Sequence, residues 1–172
     1  MATLLGFDAF DDAEYFSAGS NELYWHYIGY TAIAGTVSSL KVRVRDGTAT
    51  SVRMGIYDSA GNLVVETDAT SLTLGSSYQT ITASVTPTAL SAAKYYIGIV
   101  TNNSLQIAND SSPSVWRGDK AAHTFGALPS TISPTEAGDV GSGSLFMWAD
   151  GTVGGGGSIV PQAMANYRMR AA

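Results

Sequence analysis

The chain contains no cysteine, so no disulfide can staple it and no thiolate is available as a nucleophile or metal ligand. Charge is scarce as well. Only 13% of the 172 residues are charged, and nine Lys and Arg against fourteen Asp and Glu leave a formal net charge of −5. That balance argues against a grip on nucleic acid, which needs many phosphate-neutralising cations. With 45% hydrophobic residues the chain is equally unlike a disordered polyelectrolyte. No apolar run approaches the roughly 18 residues of a membrane-spanning helix, and Asp8, Asp11, Asp12 and Glu14 interrupt an N-terminus that lacks a basic leader. The expectation is a chain without signal peptide or membrane partner, folded in the cytoplasm.

Catalytic signatures are equally sparse. His26 and His123 stand far apart and neither belongs to a metal-ligand spacing. No G-x-S-x-G elbow accompanies the many serines, and the glycines at 154–157 lack the Lys of a phosphate-binding loop. The acids at 8, 11, 12 and 14 lack the spacing that wraps a loop around calcium, and the oxygens at Asp58 and Asn62 are what a tight turn requires. The reading is a protein with no enzymatic, cofactor or metal centre.

What is present is strand periodicity. Leu40, Val42 and Val44 alternate with Lys41, Arg43 and Arg45, which describes a half-buried strand with a solvated basic face. Val52, Met54 and Ile56 continue the pattern, and 58–62 supplies a hairpin turn before Leu63. Ile81, Ala83 and Val85 alternate with threonine and serine, with Pro87 expected to end that strand. Residues 95–100 are apolar on both parities, which predicts a central strand covered on both faces. Further short strands are expected at 27–33, 105–108, 115–117 and 145–148, at most one helical turn at 89–94, and long loops over 111–143. Together these predict an all-β fold, an antiparallel jelly-roll-like sandwich whose core includes Leu40, Val42, Val44, Val52, Met54, Ile56, Ile81, Val85, Ile97 and Ile99.

The domain expectation is an N-terminal segment, 1–22, as a candidate attachment arm, a sandwich over 23–153, and a Gly-rich hinge and tail over 154–172. Aromatic rings bury large area at small entropic cost and stack on sugars, so Tyr24, Trp25, Tyr27 and Trp116 are candidate ligand or interface contacts, with Tyr167, Arg168 and Arg170 of the tail. Trp148 and Tyr30 belong to the same class.

From 39 to 101, the basic strand, the run Val52-Arg53-Met54-Gly55-Ile56-Tyr57-Asp58, the Gly-Asn turn, Tyr78-Gln79-Thr80-Ile81 and Ala93-Lys94-Tyr95-Tyr96-Ile97-Gly98-Ile99-Val100 follow in order. This resembles the jelly-roll modules of bacteriophage virion accessory proteins and, more distantly, carbohydrate-binding modules. The resemblance implies a non-enzymatic virion structural protein, a capsid decoration or fibre protein. Its partners would be the major capsid protein or other virion proteins, with a homo-oligomer, a trimer on lattice grounds, as its form. The alternative it implies is a carbohydrate-binding module or receptor-binding tail protein that uses Tyr and Trp on a host glycan.

Overall fold

The structure, a computed structural model, describes residues 1–6, 14–26, 29–110, 118–134 and 144–154. Its strands are β1 (Ala2–Gly6), β2 (Glu14–Ala18), β3 (Glu22–His26), β4 (Tyr30–Thr31), β5 (Gly35–Gly47), β6 (Ser51–Asp58) and β7 (Leu63–Glu66). They continue as β8 (Thr70–Ser71), β9 (Gln79–Leu90), β10 (Lys94–Thr101), β11 (Leu105–Asp110), β12 (Gly118–Ala122), β13 (Ser144–Leu145) and β14 (Met147–Val153). The described residues contain no helix. The fold is an all-β antiparallel sandwich of two sheets, one of them curled.

The first sheet runs β1-β14-β5-β11-β13, with β2 beside β11 and β9 beside β5. The second runs β12-β3-β10-β6-β7, with β4 beside β10 and β8 beside β6. Alternation explains what lies between them. Leu40, Val42 and Val44 of β5 and Val52, Met54 and Ile56 of β6 are fully buried, facing Ile97 and Ile99 of β10. Val85 is buried with them, whereas Ile81 sits at the margin, half-buried, because β9 borders the sheet.

Several expectations need correction. The segment 1–22 is not a separate arm: β1 pairs with β14 and β2 with β11, and Leu4 and Leu5 are completely buried in the core. The described strands of the sandwich therefore run from Ala2 to Val153. A register shift between Thr3 and Leu5 breaks the alternation that would have marked β1. Of the strand expected at 27–33 the described residues show only β4, Tyr30–Thr31; a further strand, β3, ends before it at His26, and Gly29 before β4 has φ +69°. Pro87 does not end its strand. The pairing of β5 with β9 shifts between Val37 and Ser39, so Pro87 lies in a bulge of a strand whose other side needs no N–H for the ladder. The hairpin is as expected. Asp58 Oδ1 accepts the backbone N–H groups of Ala60 and Asn62, each at 2.9 Å, and Gly61 turns at φ +86°. Those bonds engage Asp58 Oδ1, and the hydrogen bonds from Asn62, with those from Ala60 and Gly61, hold the Asp58 carboxyl below its usual range.

Burial predicts unequal sensitivity on the two faces of the first sheet. Leu40→Ala should lower the free energy of unfolding by about 2–5 kcal/mol, while Thr82→Ala, on the exposed face of β9, should stay within about 0.5 kcal/mol. Urea unfolding of both variants decides this, and equal losses would contradict the assigned core.

Candidate functional site: a strapped sheet face and its groove

The second sheet is covered on its outer face by residues 123–134, which lie across it as a strap. Alternation sends Leu23 and Trp25 of β3, Tyr57 of β6, and Tyr96 and Val100 of β10 to that side, where they form a second core with Leu128 and Ile132. Two glycines make the close approach feasible. A Cβ on Gly55 would meet Leu128 Cδ1 at 2.5 Å, and one on Gly98 would meet Tyr57 Cε2 at 2.9 Å. The strap is fastened at both ends. His123 N–H donates to Asn21 O at 2.9 Å, Ile132 N–H to Gly61 O at 2.8 Å, and Leu63 N–H reaches back to Ser130 O at 2.8 Å. In its middle the Leu128 N–H donates to Glu66 Oε2 at 2.8 Å, and the same carboxylate faces Arg53 Nη1 at 3.5 Å.

A groove of about 380 Å³ remains between the strap and β12, bordered by Trp25, Lys120, His123, Pro129, Thr131 and Ser133. That volume is in the range of small-ligand pockets. Its Lys120 and His123 side chains already have partners. Lys120 Nζ lies 2.5 Å from Glu22 Oε1, and the His123 ring nitrogen Nε2 lies 2.9 Å from Ala127 O, so it must carry the proton it donates. The Tyr24 hydroxyl donates to Glu22 Oε2 and accepts the Gly19 N–H at 2.8 Å. The Lys120 hydrogen bond, followed by that of Tyr24, holds the Glu22 carboxyl below its usual range. Burial, reinforced by Glu22, pushes Tyr24 up to about 12.

These positions revise the aromatic candidates. Tyr24 is 2% exposed and points into the main core, where its ring meets Phe16 edge-on at 5.1 Å. Trp25 is 3% exposed beneath the strap, so it offers no open face on which a sugar could stack, and its indole N–H is buried without an acceptor. Consecutive residues of one strand point to opposite faces, and here both faces are covered. Tyr27, Trp116, Tyr167, Arg168 and Arg170 lie outside the described residues.

On the outer face of the first sheet, the basic row of β5 is more organised than a solvated strand. Lys41 Nζ lies 2.7 Å from Asp150 and 6.0 Å from the Trp148 ring. Arg43 lies over Tyr78 at 5.9 Å, and Arg45 lies over Tyr15 at 5.1 Å and Tyr78 at 5.5 Å. Asp150 also accepts from Thr3 at 3.1 Å, which ties β1 to this row. Aromatic partners so distant in sequence gave periodicity nothing to detect.

Among the described residues, no group of three or more His, Asp or Glu could hold a metal ion, and no helix is long and apolar enough to cross a membrane. No family model, curated protein or solved structure matches the chain.

The Glu22 cluster carries a pH signature with a definite sign. A carboxylate whose folded pKa is depressed contributes stability above its unfolded value, here near 4.5, and that stability is lost as pH falls through the folded pKa. Thermal melts should show Glu22→Gln flattening the acid side of the stability profile, with the difference from the parent chain shrinking towards low pH. Parallel profiles throughout would show that the Lys120 and Tyr24 contacts do not act on Glu22.

Proposed function

We propose that this chain is a non-enzymatic structural protein of a phage virion, a capsid decoration or fibre protein that binds the major capsid protein or other virion proteins. The observation that carries the reading is where the described chemistry goes. Glu22 joins β3 to β12, Asp58 builds the hairpin turn, Glu66 anchors the strap, Asp150 binds β1 to β5, and His123 closes the strap on itself. Acids and a histidine engaged in fastening strands are suited to rigidity, whereas general acid–base work needs such groups free to meet a substrate in a cleft. The outer face of the first sheet, with threonines of β9 beside the stacked cations of β5, suits a macromolecular contact better than a small substrate.

Trp25, whose ring is covered, does not serve the carbohydrate-binding alternative, and Tyr27 and Trp116 lie outside the described residues. Since β1 and β2 belong to the sandwich body, attachment is assigned to the tail, 159–172. The reading places the protein in the virion, after folding in the host cytoplasm.

Mass spectrometry of purified particles should find the chain among virion proteins, and a variant lacking 159–172 should fold with unchanged circular dichroism but fail to join particles. Absence of the full chain from particles would overturn the virion assignment. Undiminished incorporation of the truncated form would overturn the attachment through the tail.

A further inference from the structure

The long strand β9 borders the first sheet, and β5 is its single hydrogen-bonded neighbour among the described residues. A strand in that position presents a row of unpaired N–H and C=O groups to whatever approaches it. Natural sheets blunt such borders with charge, proline, bulges or brevity. The other border strands of this molecule do so. β12 exposes Lys120, β7 is four residues long and ends in Glu66, and β1 carries a register shift.

Residues 79–85 of β9 have none of these devices. The run Gln-Thr-Ile-Thr-Ala-Ser-Val has no charge and no proline, and its register against β5 is unbroken from Gln79 to Ser84. Pro87 and the bulge lie beyond it. At about 3.4 Å per residue the run offers about 24 Å of straight border. Thr80, Thr82 and Ser84 are exposed on the outer face, while Ile81, Ala83 and Val85 face the core, with Ile81 only half-covered.

This alternation is complementary to itself. If two copies align antiparallel about Thr82, Thr82 faces its own symmetry mate, Thr80 faces Ser84, and Ile81 faces Ala83. Hydroxyls then meet hydroxyls on the outside and apolar groups meet on the inside, both of them favourable cross-strand pairs. The neighbouring copy would also complete the cover of Ile81. We propose that β9 is a self-pairing border through which two copies of this chain join their first sheets into one, in the order β5-β9-β9-β5. The pairing has two-fold symmetry, in place of the three-fold form expected from lattice geometry, and does not rest on the virion assignment.

Sedimentation equilibrium of the full chain, from low micromolar to near-millimolar protein, should show a reversible monomer–dimer equilibrium. Thr82→Lys places like charges opposite each other at the two-fold and should raise the dissociation constant about tenfold or more, with the melting curve of the monomer unchanged. Because the chain has no cysteine, Thr82→Cys carries a single thiol. Facing Cα atoms in such a pair are about 4.5–5.5 Å apart, within reach of a disulfide. Diamide oxidation should therefore crosslink Thr82→Cys into a dimer much faster than Ser59→Cys on the exposed hairpin turn. A chain that stays monomeric throughout overturns the proposal. So does an oligomer that is unaffected by Thr82→Lys and crosslinks no faster at 82 than at 59.

Discussion

Double coverage of β10 is the constraint on which the rest of the second sheet depends. Tyr95, Ile97 and Ile99 face the main core, and Tyr96, Gly98 and Val100 face the other way. Leu23, Trp25 and Tyr57 join that second side, so without a cover the sheet would present a contiguous apolar and aromatic patch to water, which a soluble body rarely tolerates. The strap at 123–134 removes the patch. It can lie close because Gly55 and Gly98 leave room for Leu128 and Tyr57. The charge of Glu66 reinforces the contact, since a hydrogen bond to an ionised acceptor is among the stronger ones available.

That cover in turn determines what the surface has left to offer. It buries Trp25, narrows the open space beside β12 to a groove, and engages His123 in its own closure. The first sheet has no equivalent strap among the described residues, and its outer face is organised by cations lying over Trp148, Tyr78 and Tyr15. The molecule thus has one face closed by apolar packing and one dressed with hydroxyls and stacked cations.

Much of this was legible in the residues. Alternation in β5, β6 and β9 marked the main core, the Asp and Gly of the hairpin marked its turn, and the unbroken apolar run of β10 announced that both its faces are covered. The identity of the second cover was not legible, because the strap has no periodicity and is held mainly by backbone groups whose partners are distant in sequence. Tyr24 and Trp25 looked available for the same reason: an aromatic pair on a strand can be exposed on one side only if that side lacks a cover. β1 was missed because its short run carries a register shift, and the acids that follow it suggested a solvated segment. Pro87 misled because a proline stops a strand only where its missing N–H would have been needed.

If the strap is an integral layer of the fold, it is held as firmly as the sheet it covers. Native-state hydrogen exchange measures this directly through the amides of Leu63, Leu128 and Ile132, which make its bonds. These amides should exchange as slowly as those of Ile97 and Ile99 in the middle of β10, through the same global opening. Rapid exchange at these three amides while β10 remains protected would show a loosely attached loop, and the second core would have to be abandoned.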